Sequence, residues 1–190
     1  NEEEIHLLGV AEIHFWHGFD RVIKGLGLYY SRNPRCRVYF DIVGNLSGLR
    51  EQHEIFTAIE TAGVHEYVSM HGALWGERLD VMFDQADFAI GSLARHRSGI
   101  TYIRTLKTRE YAARGISFMY SEIDSDFENK PYILKAAPDE SPIDIEQIVS
   151  YCLSKDWEPS RIRNDVYELS WRNQMKKVLD HLNLYRCYHS

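Results

Sequence analysis

Short apolar runs alternate with segments of helical periodicity along the chain, and this alternation is the feature that most constrains its fold. The apolar runs predict strands at 5–13, 37–43, 65–72, 87–93 and 116–121, with a sixth at 131–137. The periodic segments predict helices at 17–30, 49–61, 76–86 and 105–114. Strands that alternate with helices at this spacing are typical of βαβ units. We therefore expect an α/β fold, with a parallel sheet of five to six strands and helices on both faces.

The C-terminal part of the chain differs, because only helical periodicity continues there. Ser141 is predicted to be the N-cap of a helix over 141–155, and the pattern stays helical from Pro159 to about Leu184. One apolar stripe of this last segment contains Trp171, Met175, Val178, Leu179 and Leu182. A chain of 190 residues is long enough for one sizeable core. We predict a single domain, with an α/β core over about 5–140 and a helical C-terminal extension over about 141–188.

Composition limits the classes of partner and compartment. The net charge of −6 argues against a general binder of nucleic-acid backbones, so an anion must be bound by local cations and backbone N–H groups. Cys36, Cys152 and Cys187 are widely spaced, as is typical of reduced thiols in a cytosolic protein. No run approaches a membrane span, and the N-terminus does not resemble a signal peptide. Because the chain begins without Met and directly before a strand, we expect it to be part of a longer protein.

Ligands of open parallel sheets bind beyond the carboxyl ends of the strands. Five loops reach that edge: 11–18, 44–48, 71–76, 91–105 and 121–130. In the first loop, His17 and Gly18 stand at a strand-to-helix junction, where free N–H groups and the helix dipole favour an anion. Taken alone, an ordinary helix start with a solvated His17 explains this pair better.

The second and third loops contain glycines that could let a ligand lie against the backbone. Gly44 follows the second strand and Gly72 ends the third, although ordinary turns use glycine in the same way. Neither a GxGxxG fingerprint nor a Walker lysine is present, which argues against dinucleotide-binding and P-loop chemistry. No metal site is predicted, because His65 and His71 lack a third ligand at a recognised spacing.

The fourth loop concentrates Arg95, His96 and Arg97 at the end of a strand. Guanidinium groups match phosphate oxygens in geometry, so this cluster would suit a diphosphate. A solvated run of surface charge explains it about equally well.

Several segments, in this order, resemble the C-terminal, nucleotide-sugar-binding domain of a retaining glycosyltransferase with two Rossmann-like domains, the GT-B fold, and in particular the glycosyl transferases group 1 family. The resemblance covers about residues 5–182. The matching segments are HGFDRVI, VYFDIVGN, VSMHGAL, LDVMFDQADFAIGSL, REYAARGISF and SWRNQMKKVL. The REYAARGISF segment resembles the most diagnostic element of the family, a glutamate followed by small residues, a glycine and an apolar strand. The resemblance implies a Rossmann-like domain.

The resemblance also implies roles for individual residues in binding a nucleotide sugar. Glu110 would accept hydrogen bonds from the ribose hydroxyls. Backbone N–H groups of Thr105 and Leu106 would meet the diphosphate, and Lys107 or Arg97 would supply positive charge. The loops of His17, Gly18, Gly44 and Gly72 would complete the site, with His17 where the family has lysine. Tyr102 stands where the family has a first glutamate near the donor sugar, and Ser117 replaces a proline.

The function that the resemblance implies is transfer of a sugar from a UDP- or GDP-sugar to a glycan or lipid-linked acceptor, in bacterial surface polysaccharide synthesis. The acceptor would bind an N-terminal domain that this chain lacks, so these residues alone would be inactive. No metal or cofactor beyond the donor is implied, and no nucleic acid. The expected location is the cytoplasm, with the full-length protein peripheral at the inner membrane. A non-catalytic flavodoxin-like interaction module and a sugar-nucleotide epimerase domain are the alternatives.

Overall fold

The computed structural model describes residues 3–154, 158–170, 173 and 175–179. Its strands are β1 (Glu4–Val10), β2 (Arg37–Val43), β3 (Val68–Gly72), β4 (Phe88–Ile90), β5 (Phe118–Tyr120) and β6 (Ile133–Lys135). Its helices are α1 (Phe19–Tyr30), α2 (Leu49–Ala62), α3 (Glu77–Gln85), α4 (Leu106–Arg114), α5 (Ile145–Ser154) and α6 (Pro159–Val166). Within these residues no helix is long and apolar enough to cross a membrane.

All strand pairs that the structure describes are parallel, and the strands follow the order β3-β2-β1-β4-β5-β6. This is the strand order of a Rossmann fold. The strands β2 and β3 lie on one side of β1, and β4, β5 and β6 lie on the other side. The strand order therefore reverses between β1 and β4. The predicted α/β, Rossmann-like parallel sheet is confirmed.

The two faces of the sheet carry two separate apolar layers. Neighbouring residues of a strand point to opposite faces, so Leu7 packs with α1, α2 and α5, whereas Leu8 packs with α3, α4 and α6. Both leucines are at most 1% exposed. The near-continuous apolar character of the strands follows from this double burial. Helices on both faces were predicted and are present.

Several strands are shorter than their apolar runs. The strand β4 ends at Ile90, although the run continues to Leu93. The reason is that the backbone N–H groups of Leu93 and Ala94 donate to the carbonyls of His17 and Trp16, 2.9 and 3.1 Å away, instead of to a neighbouring strand. The apolar residues that follow Ile90 therefore pack against the loop after β1 and do not extend the strand.

The start of the C-terminal helical region was predicted wrongly at Ser141. The helix α5 begins at Ile145, and the carboxylate of Asp144 accepts from the N–H of Gln147 at 3.2 Å, as an N-cap does. Of the predicted apolar stripe, Trp171 and Leu182 lie outside the described residues. Met175, Val178 and Leu179 are 46%, 51% and 55% exposed, so this part of the stripe is not covered by the domain.

The buried Arg21 ties α1 to two distant segments. Its side chain is 1% exposed. Its Nε donates to the Ser141 carbonyl at 2.7 Å, and a terminal nitrogen donates to the Leu93 carbonyl. The other terminal nitrogen lies 3.3 Å from the Asp139 carboxylate. This contact network holds the loop after β4 and the approach to α5 against α1.

Replacement of Arg21 by methionine should lower the free energy of unfolding by about 3 kcal/mol, because two buried carbonyls would lose their donors. Chemical denaturation of the purified protein would measure the loss. The control is Arg32→Met, at an exposed position just after α1, which should change the free energy by less than about 0.5 kcal/mol. Equal effects of the two substitutions would contradict the proposed structural role of Arg21.

Candidate functional site

The loops after β1 and β4 meet at the carboxyl edge of the sheet, where the strand order reverses. Open α/β sheets bind their ligands in the crevice at such a point. Gly18 makes the contact possible: it has a φ of 65°, and a Cβ there would lie 2.8 Å from the Cβ of Ala94. Gly18 therefore has a packing role at the crevice, whether or not a ligand also approaches it.

A cavity of about 330 Å³ opens at the same edge, between the loops after β1, β2 and β3. Its lining residues are Val10, Ala11, Glu12, Val43, Gly44, Asn45, Ala73 and Leu74. Gly44 has a φ of 132°, and a Cβ there would lie 1.6 Å from the Ala11 carbonyl oxygen. Its N–H donates to the Gly72 carbonyl at 2.8 Å. The two predicted glycines thus shape this mostly apolar cavity, which has the size of a small ligand pocket.

At the same edge, the loops after β1, β4 and β5 and the start of α4 bring together the side chains of His17, Arg95, Glu122 and Lys107, here called the charged cluster. Three buried atoms of this cluster have no hydrogen-bond partner among the described residues: Arg95 Nε, Lys107 Nζ and Glu122 Oε2. Buried polar atoms of folded proteins are almost always hydrogen-bonded, since an unpaired one costs free energy. Such atoms at a ligand-binding edge indicate a binding site.

Burial shifts the proton equilibria within the charged cluster. Burial, followed by the nearby charge of Arg95, lowers the pKa of Lys107 to about 7, and Glu122 partly opposes the shift. Burial also lowers the pKa of His17 to about 2, with further contributions from Lys107 and Arg95. His17 is therefore neutral. Because its Nδ1 accepts from the His14 N–H at 2.9 Å, the ring carries its proton on Nε2 and can donate from there.

Arg97, the other predicted source of positive charge, is held by protein groups. Its Nε and one terminal nitrogen donate to both Glu140 oxygens, at 2.9 and 2.6 Å. The remaining N–H groups donate to Asp20, Glu54 and the Phe15 carbonyl at 3.0–3.1, 3.0 and 2.9 Å. These bonds, with Glu140 first, raise the pKa of Arg97. Binding of a diphosphate by Arg97 stays a prediction, but the geometry favours Arg95 for that role.

The start of α4 lies next to the charged cluster. Thr105 is the N-cap residue, and its hydroxyl accepts from the Thr108 N–H at 3.4 Å. The Leu106 side chain is 86% exposed, so this helix end is open to a ligand. The first N–H groups of a helix lack helical partners, and with the helix dipole they favour an anion. The predicted role of the Thr105 and Leu106 amides is compatible with this geometry.

Glu110 lies one turn further along α4. Its carboxylate lies 3.3 Å from Arg114, which also pairs with Asp80 of α3 at 2.9 Å. This surface pairing leaves Glu110 partly accessible, so its role toward a ribose stays a prediction. Tyr102 is 75% exposed, and its backbone pairs with Ile123 just beyond β5. Among the described residues, no three His, Cys, Asp or Glu side chains come together as metal ligands.

In the sequence analysis, Arg95 was considered only as part of the basic loop, the diphosphate was assigned to Arg97 or Lys107, and Glu122 was not considered. Arg95 lies in the predicted basic loop and faces the ring of Trp16 at 5.3 Å, whereas Arg97 is bound by Asp20, Glu54 and Glu140. Glu122 is 3% exposed, although an acidic residue two positions after a strand carries no sign of burial in the sequence.

No protein-family profile matches the sequence, and no curated protein matches it either. Solved structures do match. A glycosyltransferase from Rickettsia africae superposes with a TM-score of 0.71 at 15% identity, over 93% of this chain and 46% of that one. The C-terminal domain of LpcC from Francisella tularensis, a glycosyl transferase group 1 family protein, gives 0.53 at 15% identity, over 86% and 80%.

HepE from Anabaena, solved in complex with UDP-glucose, gives a TM-score of 0.60 at 16% identity, over 87% of this chain and 48% of HepE. The chain thus spans about half the length of HepE and of the Rickettsia enzyme. Likeness at these identities concerns the fold. The chain is folded like the C-terminal domain of a group 1, GT-B type glycosyltransferase.

Proposed function

We propose that this chain is the donor-binding part of a retaining glycosyltransferase, which takes a UDP- or GDP-sugar and transfers the sugar to a glycan or lipid-linked acceptor. The observation that carries the proposal is the pair of half-buried cations Arg95 and Lys107, whose buried Nε and Nζ atoms lack protein partners near the start of α4. On the basis of the resemblance, the proposal extends to a reaction of bacterial surface polysaccharide synthesis, in the cytoplasm or at the inner membrane.

The charge of the cluster suits a diphosphate. The diphosphate of a nucleotide sugar carries about two negative charges, and Arg95 and a protonated Lys107 would offer it two positive charges beside the negative charge of Glu122. The amides at the start of α4 and His17 Nε2 would add neutral donors. Since the chain as a whole carries a net charge of −6, its overall field does not attract an anion. Recognition would therefore rest on these local donors.

The neighbouring cavity suits the nucleoside. It lies between the loops after β1, β2 and β3, on the other side of the reversal point from the loop after β4. A ligand that places its diphosphate at the charged cluster could place a base against the Gly44 and Leu74 side of the cavity. Glu110 on α4 would then accept from the ribose hydroxyls. The UDP-glucose complex of the similarly folded HepE supports a nucleotide sugar as the ligand.

The same groups would assist the reaction. When the bond between the sugar and the diphosphate breaks, negative charge accumulates on the leaving phosphate. Donors and cations that are already oriented toward this charge stabilise the transition state more than the ground state. Lys107, Arg95 and the dipole of α4 would supply that stabilisation without a metal ion. Binding of the acceptor would require further parts of the enzyme, since this chain spans about half of similar glycosyltransferases.

The acidic side chains at the same edge do not favour the alternative of a flavodoxin-like interaction module, which would need free carboxylates there to accept a phosphate. Asp124 and Asp126 follow β5, and both are bound by Arg109. The Arg109 guanidinium lies 2.8 Å from Asp124. These carboxylates are thus neutralised within the protein, whereas the cations of the charged cluster are not.

Isothermal titration with UDP and GDP tests the proposal. We expect at least one of them to bind, and Lys107→Met to weaken its binding by about tenfold or more, because a charge-assisted hydrogen bond to phosphate is lost. Glu110→Ala should also weaken binding. The control is Lys130→Met, at a lysine that forms a surface pair with Asp165 at 2.9 Å and should leave the affinity unchanged. No binding of either nucleotide would contradict the proposal, and so would full affinity in Lys107→Met.

The same Lys107→Met substitution should raise the thermal stability of the ligand-free protein by about 2 °C or more, because methionine has a similar length and removes an unpaired buried charge. Differential scanning calorimetry measures the midpoint. Lys130→Met should leave it unchanged or slightly lower. A lower midpoint for Lys107→Met would show that this lysine supports the fold instead of a ligand.

The affinity for a nucleotide sugar should fall as the pH rises from 6 to 9. Only protonated Lys107 attracts the diphosphate, and burial lowers its pKa to about 7, so its charge is lost progressively above that value. UDP-glucose is a suitable probe, because its diphosphate has no proton that titrates near neutral pH. Arg95 stays charged and His17 stays neutral over this range. Lys107→Met should remove this pH dependence, and an unchanged dependence in the variant would contradict the prediction.

A further inference from the structure

We propose that Glu122 recognises the sugar of the donor, by accepting a hydrogen bond from a sugar hydroxyl next to the diphosphate. The inference rests on the proposed function and extends it from the nucleotide to the transferred group. It assigns a role in sugar specificity to a residue that the sequence analysis did not single out.

Glu122 is a buried carboxylate at the ligand-binding edge of the sheet. It follows β5 by two residues, and its side chain is 3% exposed. Its Oε2 has no hydrogen-bond partner among the described residues. Burial raises the pKa of Glu122, and backbone hydrogen bonds at Glu122 and Ser121 and the positive charges of Arg95 and Lys135 partly oppose that shift. The buried Oε2, which has no partner, still requires a donor.

The geometry of the charged cluster shows what kind of donor fits. Arg95 and Lys107 attract Glu122 electrostatically. Even so, Arg95 Nε and Lys107 Nζ form no hydrogen bond with Glu122 or with any other described residue. Opposite charges that are buried together usually pair directly, because pairing offsets their loss of hydration. Here the three atoms form no hydrogen bond with one another, so each remains available to a ligand group.

A group in this position must satisfy two opposite demands. It must accept hydrogen bonds from the two cations, and it must donate one to the carboxylate. A phosphate by itself only accepts at neutral pH, and its charge would be repelled by ionised Glu122. A phosphorylated sugar meets both demands, because its phosphate accepts while an adjacent hydroxyl donates. The cluster therefore fits a glycosyl phosphate better than a bare nucleoside diphosphate.

The backbone next to Glu122 is held in place. The N–H of Ile123 donates to the Thr101 carbonyl at 2.8 Å, and the N–H of Ile103 donates to the Ile123 carbonyl at 3.1 Å. Lys135 donates to the Glu122 carbonyl. These bonds fix the segment that carries Glu122 against the segment that leads into α4. The carboxylate is thus positioned before a ligand arrives, as specific recognition requires.

The experiment compares a nucleoside diphosphate with its sugar derivatives. The wild-type protein and Glu122→Gln are titrated with UDP and with UDP-glucose, UDP-galactose and UDP-N-acetylglucosamine, or with GDP and GDP-mannose if GDP is the nucleotide that binds. For the preferred sugar, the variant should lose about tenfold in affinity. Its affinity for UDP itself should stay equal or increase, because a negative charge next to the phosphate is removed. The measured quantity is the ratio of the two dissociation constants.

The matched control is Glu128→Gln, on the same loop. Glu128 Oε1 accepts from the Tyr120 hydroxyl and from Lys135 Nζ, each at 2.9 Å, so this carboxylate already has protein donors. We expect this variant to leave the ratio unchanged. A ratio that is also unchanged in Glu122→Gln overturns the inference while the proposed function stands. Failure of UDP and GDP to bind the wild-type protein overturns the proposed function and this inference with it.

A second measurement uses the wild-type protein, so it does not depend on the folding of a variant. Deoxy derivatives of the preferred nucleotide sugar each lack one sugar hydroxyl. One of them should bind about tenfold more weakly than the parent sugar, because Glu122 would lose its donor. In Glu122→Gln, the same derivative should bind as tightly as the parent nucleotide sugar. If each deoxy derivative loses the same affinity in the wild-type protein as in Glu122→Gln, the inference is overturned.

Discussion

Two arginines hold the carboxyl edge of the sheet together, and their contacts determine which cations are left for a ligand. Arg97 binds Asp20, Glu54 and Glu140, from α1, α2 and the approach to α5. Arg21 binds the carbonyls of Leu93 and Ser141. The acidic groups near the loop after β4 are thus used in holding the loops. Arg95 and Lys107, in the same region, are left with Glu122 as their nearby counter-charge.

An unpaired cation in a buried place lowers the stability of a fold, and a protein retains it where function gains from it. Here the gain would be strength of binding. Water is largely excluded from Lys107 Nζ, so its attraction to a phosphate is less screened than at the surface. A chain of net charge −6 can therefore bind an anion tightly at one point while its surface remains acidic. The low pKa of Lys107 and its proposed role in binding have the same physical origin.

The fold could largely be predicted from the sequence, because double burial leaves a clear pattern of apolar strands between helices. The strand β2 was predicted with the bounds that it has, Arg37–Val43. Errors arose where a distant group decides the outcome. The strand β4 is shorter than predicted because its last residues bond to the loop after β1. Ser141 is not the cap of α5, because Arg21 and Asp139 hold it before the helix begins.

The order of strands and helices was enough to predict that His17 and Lys107 lie at the ligand-binding edge, while their roles in binding stay predictions. Which of Arg95 and Arg97 faces the ligand depends on partners from three other segments, and the sequence cannot show this.

The central claim is that a diphosphate binds the charged cluster. A crystal structure with a bound nucleotide sugar tests it most directly. We expect the diphosphate within hydrogen-bond distance of Lys107 Nζ and Arg95, at the start of α4. A diphosphate bound elsewhere, with Lys107 still unpaired, would contradict the claim.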